Sequence, residues 1–299
     1  MSDVLLFGAT SPSGLAFLQA AGSLSVTVAG RRRPEGFADG PFQLCDLQAA
    51  NSLDQQPLAG TLVSFAPLWD LAPFLARMAE QHPERLAGVT AVVACSSSSV
   101  ITKRFAFNRC DRDLVQRLTA SQDLLIHTCQ DLGLPCRIVA PTLIYGQVGA
   151  YGDRNLSQLL QWMRRFPLLP LPADTGLRQP IHSSQLAAVV RTLALALVRP
   201  TGGTPTGDVI AVGGDDTLNY HELLLRLQQQ CDPSDRARRC RLVAMPAWLF
   251  RALAAPLLVA APKGFEAVMR IQVDLAGFHP AHSLVGEQPR PFPVLPLVH

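Results

Sequence analysis

The sequence is poor in lysine, tyrosine and any excess of one charge. Its cationic residues are almost all arginine; the only lysines are Lys103 and Lys263. The formal net charge is +3 at pH 7 over 299 residues, too small to point to a nucleic-acid partner. The seven cysteines are scattered, with no CxxC pair and no Cys/His spacing suited to zinc. Cys95, Cys129 and Cys136 stand among apolar neighbours and are read as buried thiols. An odd count without a disulfide framework points to a reducing compartment.

Long apolar runs are also missing. The longest apolar region, 247–261, is interrupted by Arg251 and Pro256 and falls short of the ~20 residues of a membrane span. The opening Met-Ser-Asp-Val-Leu-Leu-Phe has no basic segment ahead of its apolar run, unlike a secretory leader. The expectation is a cytoplasmic protein. At 48% hydrophobic residues the chain can bury a sizeable core, as one large or two closely joined domains.

What is present is alternation. Short apolar runs at Val4–Phe7, 26–29, 42–45, 62–66, 89–94 and 136–140 read as strands. Helical patterns lie between them at 12–21, 71–81 and 113–130. This predicts βαβ units, a doubly wound parallel sheet covered on both faces, and a ligand crevice at the carboxyl ends of the strands. After Gly146 the pattern loosens. Helices are expected at 156–166, 184–197 and Tyr220–Gln230, the last capped by Asn219, with a strand at 209–212. The last sixty residues are rich in proline and apolar residues and are expected to fold against the sheet.

Gly8-Ala-Thr-Ser-Pro-Ser-Gly14 joins the first strand to the first helix. Gly8 permits the tight turn and Gly14 close packing of helix on strand, and free N–H groups at a helix start face an anion. Ser11 takes the place of a middle glycine; it can cap the helix, and Pro12 suits the first helical position. Thr10 and Ser13 complete the finger. The second strand ends in Gly30-Arg31-Arg32-Arg33 where an NAD site would carry an acid. A carboxylate would repel a 2′-phosphate, whereas guanidinium can clamp one, so Arg31 and Arg32 favour NADP(H) over NAD(H). Asp46 either caps the turn after the third strand or reaches the adenine.

With this finger, the serine-rich strand end 95–100 and Pro141-Thr-Leu-Ile-Tyr-Gly146 in order, the chain resembles the short-chain dehydrogenase/reductase superfamily. The resemblance is to its extended or atypical branch of nucleotide-sugar epimerases and dehydratases. Asp46-Leu47, Arg178-Gln-Pro-Ile-His-Ser-Ser-Gln-Leu-Ala187, Val212-Gly-Gly-Asp-Asp-Thr-Leu218 and Pro289-Arg-Pro-Phe292 fall where that branch has similar segments.

The resemblance implies a Rossmann fold over 1–146, completed by parts of 180–215, with a smaller C-terminal substrate lobe from 147–179 and 216–299. It implies a dinucleotide held by Gly8–Gly14, Arg31, Arg32, Asp46, Leu47, Ala66, Ser96 and Pro141. It further implies a small-molecule substrate such as a nucleotide sugar, with Arg178 as its phosphate ligand, and a homodimer.

The superfamily's reaction uses a tyrosine and a lysine four residues later on one helix face. The lysine lowers the pKa of the tyrosine, which moves a proton at the substrate oxygen. Counting back from Gly133-Leu-Pro-Cys136 puts Leu118 and Gln122 at those two places. The three tyrosines are Tyr145, Tyr151 and Tyr220, and neither lysine lies four residues after one. Leucine exchanges no proton and glutamine carries no charge, so the standard mechanism is absent. Ser97, at the place of the catalytic serine, and Tyr145 remain as candidate catalysts. The serines read equally as a strand terminus, and Tyr145 either bonds substrate or packs.

The outlook is an NAD(P)(H)-binding protein acting as an atypical oxidoreductase, or a catalytically silent NADPH sensor or interaction scaffold. His182 is expected to serve structure, His127 to lie on the surface or pack, and Asp111 and Asp113 to place negative charge near a helix start. Arg164 and Arg165 read as phosphate ligands or a solvated helix end. Trp248, Phe250 and Leu253 read as core or as an apolar face.

Overall fold

A computed structural model describes residues 3–49, 57–104, 109–198, 207–256, 265 and 268–295. Lys263 lies outside the described residues, as does part of the apolar region 247–261. Strands β1 (Val4–Phe7), β2 (Val26–Gly30), β3 (Phe42–Leu44), β4 (Ala59–Ser64), β5 (Gly88–Cys95) and β6 (Cys136–Pro141) appear where the apolar runs place them. Between them run helices α1 (Pro12–Gln19), α2 (Leu68–Gln81), the single turn α3 (Ser99–Thr102) and α4 (Arg109–Asp131).

Past β7 (Ile144–Tyr145) come α5 (Asn155–Arg165), β8 (Leu168–Pro172), β9 (Leu177–Arg178), β10 (Ile181–His182) and α6 (Ser183–Val198). β11 (Asp208–Gly213), β12 (Leu218–Asn219), α7 (Tyr220–Gln230), α8 (Arg236–Arg239), β13 (Arg241–Met245), α9 (Ala247–Ala254), β14 (His279–Pro280) and α10 (Ala281–Val285) follow. Two boundaries move. α4 begins four residues before the expected 113, so Asp111 and Asp113 lie within its first turns. α2 begins one turn early and contains Pro73.

The main sheet has eight strands in the order β14-β11-β6-β5-β4-β1-β2-β3, all parallel. The chain winds outward in one direction from β1 and in the other from β4. The carboxyl ends of these two neighbours therefore form the topological switch point.

Strand alternation sorts the core. Val4 and Leu6 pack with Phe17, Val189 and Val190 under α1 and α6. Leu5 and Phe7 pack with Leu71, Phe74 and Leu125 under α2 and α4. Cys95, Cys129 and Cys136 are buried in these layers as read, and burial pushes the Cys95 thiol up to about 12. On α4 Leu118, Leu125 and Cys129 are buried, while Leu124 is exposed.

A third core, of Leu156, Leu160, Met163, Leu223, Leu224 and Leu227 with their neighbours, belongs to the C-terminal lobe. Its two-stranded sheet pairs β8 with β13 in parallel. Within α9, Phe250 is buried, while Trp248 is 70% and Leu253 59% exposed, so that stretch is divided between core and surface.

Candidate functional site

The finger forms because two glycines meet backbone. Gly8 has φ 75°, and a Cβ there would lie 2.5 Å from the Ala66 amide nitrogen in the turn after β4. A Cβ on Gly14 would lie 2.2 Å from the Gly8 carbonyl oxygen. Ser11 is the N-cap of α1: its Oγ accepts from the Gly14 N–H (3.1 Å) and donates to the Gly8 carbonyl (2.8 Å). Its hydroxyl is thus folded into the turn. Pro12 stands in the first helical turn as read, and Ser13 is buried.

Outside this turn, at the switch point, lie two adjoining hollows. One, of about 450 Å³, is lined by Gly8, Thr10, Gly30, Arg31 and Arg32. The other, of about 220 Å³, is lined by Ser11, Arg31, Asp46, Leu47, Ala66 and Asp70 among others. Arg31 and Arg32 are exposed on the rim. Arg33 is turned back: its Nη1 donates to the carbonyls of Ala38 and Gly40, and its guanidinium stacks 4.9 Å over the Phe42 ring. Asp46 caps the turn after β3 and stands beside the crevice: its Oδ1 accepts from the Gln48 N–H (3.1 Å).

On the other side of β4, a cleft of about 710 Å³ opens between the ends of β5 and β6 and the C-terminal lobe. Ser97, Ser98 and Ser99 line it; Ser97 Oγ donates to Ser99 Oγ (3.0 Å) and accepts from the Ser99 N–H (3.2 Å). Ser96 points elsewhere, accepting from Gln122 Nε2 at 2.7 Å. Leu118 and Gln122 are both buried, and neither lines the cleft. Pro141 ends β6, buried, and offers its carbonyl to the Ser98 N–H; the residues after it, Thr142, Leu143 and Ile144, form the wall.

Two expected site residues have other work. Tyr145 is 1% exposed, packs against His182 and Phe292, and its hydroxyl accepts from the Val294 N–H (2.8 Å). Burial holds the phenol above its ordinary range. It does not line the cleft, so it is a packing residue there and no proton donor to it. Arg178 does line the cleft, but its Nη1 donates to the carbonyls of Leu177 (2.7 Å) and Val273 (2.6 Å) and its Nη2 to that of Arg270. Burial lowers its pKa, and the guanidinium braces the wall segment 270–273 in place of awaiting a phosphate.

His182 is buried, its Nδ1 within 2.8 Å of Ser184 Oγ. His127 is exposed. Arg164 is bound to Asp235 (Nη2–Oδ2 2.8 Å), which ties α5 to α8, and Arg165 lies over Phe166.

Three residues of the cleft region escaped the sequence reading as a group. Lys103 and Arg270 line the cleft, and Asp111 joins them: Oδ1 accepts from Lys103 Nζ (2.7 Å) and Oδ2 from Arg270 Nη1 (2.6 Å). The available signal was the spacing of Ser99 and Lys103, one helical turn apart. Arg270 comes from 159 residues beyond Asp111 and left no local trace.

Among the described residues no group of three or more His, Cys, Asp or Glu could hold a metal, and no helix is long and apolar enough to cross a membrane.

No protein-family model and no curated protein sequence matches the chain. Solved structures do. A nucleoside-diphosphate-sugar epimerase from Staphylococcus aureus matches at 15% identity and TM-score 0.62, over 97% of both chains. MoeE5 in complex with UDP-glucose and NAD matches at 18% and 0.60, over 97% of this chain and 94% of that one. The triphenylmethane reductase of Citrobacter sp. complexed with NADP(H) matches at 12% and 0.62, over 97% of both. At these identities the likeness establishes the fold alone, a Rossmann-type α/β fold along nearly the whole chain.

Proposed function

We propose that the protein binds NADP(H) in the switch-point crevice and a small-molecule substrate in the neighbouring cleft, as an atypical oxidoreductase. The observation that carries this reading is the pair of exposed guanidinium groups, Arg31 and Arg32, on the rim of the hollow that begins at Gly8 and Thr10. The residues fit the cofactor. The start of α1 and the turn Gly8–Gly14 would hold the diphosphate, Arg31 and Arg32 a 2′-phosphate, and Asp46, Leu47 and Ala66 the adenine side. Structures of the same fold carry NAD or NADP(H), as in MoeE5 and the triphenylmethane reductase.

When bound, NADP(H) supplies or accepts a hydride. Ser97, whose Oγ sits at the cleft wall, hydrogen-bonds the substrate oxygen. Leu118 and Gln122 move no proton, so the proton is exchanged with water in the open cleft.

The same two side chains favour a second reading, a cofactor-responsive protein without turnover. Gln122 is buried, neutral and committed to Ser96.

Titration with NADPH and NADH tests the first part. NADPH is expected to bind more tightly than NADH, and Arg31→Ala with Arg32→Ala to abolish that preference. Equal affinities in the unaltered protein would sink the NADP(H) assignment; binding of neither would sink both readings. NADPH consumption with nucleotide sugars and simple ketones then separates enzyme from sensor.

A further inference from the structure

We propose that the cleft takes a molecule with an anionic head and an apolar body, the head held by Lys103 and Arg270 and the body laid along Leu159, Trp162 and Ile271. This rests on the oxidoreductase reading above, because the cleft is where that reading places the substrate.

The head site follows from charge. Lys103 and Arg270 both face the cleft, and the Asp111 carboxylate engages both. Their side chains are only 22% and 25% exposed, so water and salt screen the remaining positive charge less than on an open surface. Arg178 lines the same cleft, but its Nη1 and Nη2 donate to the carbonyls of Leu177, Val273 and Arg270. Ser97, Ser99, Thr102 and Asn155 line the same cleft and supply hydroxyl and amide donors. An anion of carboxylate or phosphate type meets charge-assisted donors there.

The body site follows from the opposite property. A second hollow, of about 230 Å³, shares Leu159, Trp162, Tyr220, Val268 and Ile271 with the cleft and continues to Leu171, Phe250 and Leu253. Among the described residues no charged side chain lines it. A sugar or base laid there meets few polar side chains besides Trp162 and Tyr220, and each hydroxyl or amide left unbonded costs about 1–3 kcal/mol. An alkyl or aryl body loses nothing and removes apolar surface from water. The polar end and the apolar annex thus sort one amphipathic ligand along one axis.

The test is isothermal titration of the full-length protein, saturated with NADPH, with sodium decanoate, decanol and UDP-glucose. Decanoate is expected to bind at least tenfold more tightly than decanol or UDP-glucose. Lys103→Gln should weaken decanoate about tenfold and leave decanol unchanged, while Leu159→Gln should weaken both. Tighter binding of UDP-glucose than of decanoate would overturn the proposal. So would equal affinity for decanoate and decanol, or no decanoate binding to protein that holds NADPH. Should Lys103→Gln fail to bind NADPH and so prove misfolded, the ranking of the three ligands on the unaltered protein decides. Failure of the unaltered protein to bind NADPH would instead overturn the function proposed above.

Discussion

Gln122 donates from Nε2 to the Oγ of Ser96 across 2.7 Å, fastening the middle of α4 to the end of β5. The chain therefore holds a neutral, buried crosslink at this point. Removing it in Gln122→Ala leaves Ser96 without that donor and opens a small void. A loss of about 1–2 kcal/mol is expected, or roughly 2–6 °C in Tm by the scaling for a chain of this size. NADPH affinity should change less than twofold, because Gln122 lines neither the crevice nor the cleft. Calorimetry beside a cofactor titration checks both; a large loss of affinity with unchanged Tm would contradict the crosslink role.

Gly14 offers a sharper lever. A methyl group there lies 2.2 Å from the Gly8 carbonyl, which is backbone and cannot swing aside. Gly14→Ala should push α1 off β1, cost about 1–3 kcal/mol, and lower NADPH affinity more than tenfold. Gly133 is the control: its φ is +66°, but nothing lies within 4 Å of a Cβ there. Gly133→Ala should cost about 1–2 kcal/mol of stability with affinity retained. Equal affinities for the two variants would remove the finger from the cofactor site.

What could be read in advance was local. The finger is written in seven consecutive residues, and its glycine, cap and proline signals do not depend on anything distant. The inner strands β1, β4, β5 and β6 show as apolar runs because both of their faces are largely buried. The C-terminal lobe was less legible because its pairings are long-range. β8 contains Pro170 and Pro172, which argue against a strand, yet it pairs with β13 some seventy residues later in a two-stranded sheet. The same holds for roles. Arg178 and Tyr145 sit at motif positions that imply chemistry, but Val273 and Val294, far along the chain, claim their polar atoms.

Acid should loosen the C-terminal segment. The Asp215 carboxylate, 2% exposed, accepts from Gln185 Nε2 (2.8 Å) and from the N–H groups of His282 (2.8 Å) and Arg290 (2.9 Å), with His282 Nδ1 at 3.1 Å. Burial alone would raise its pKa, but these donors outweigh it and hold the group below the usual carboxylate range. A folded pKa below the unfolded one gives stability that is full above the unfolded value of about 3.9 and is lost as pH falls through the folded value. Asp215→Asn should therefore be less stable by about 2–4 kcal/mol at pH 7. The gap should narrow in strong acid, once the pH has fallen through the folded value and the native carboxyl is protonated as well. Urea midpoints at neutral pH and in strong acid measure it, and a gap that does not change with pH would rule the carboxylate out as the source.

Tyr145→Phe separates packing from catalysis. The hydroxyl's acceptor role toward the Val294 N–H is lost while the ring contacts with His182 and Phe292 stay. An unsatisfied N–H costs about 1–3 kcal/mol when buried, and Val294 is half-buried, so the lower end applies. Any NADPH-dependent turnover the protein shows should keep its rate and its pH profile in this variant, because the phenol does not line the cleft. Ser97→Ala should do the reverse, lowering turnover tenfold or more, while the loss of its two hydrogen bonds to Ser99 costs about 0.5–1.5 kcal/mol of stability. If Tyr145→Phe instead abolished turnover at unchanged stability, the tyrosine would have to reach the cleft in a conformation different from this one, and the assignment of Ser97 would fall with it.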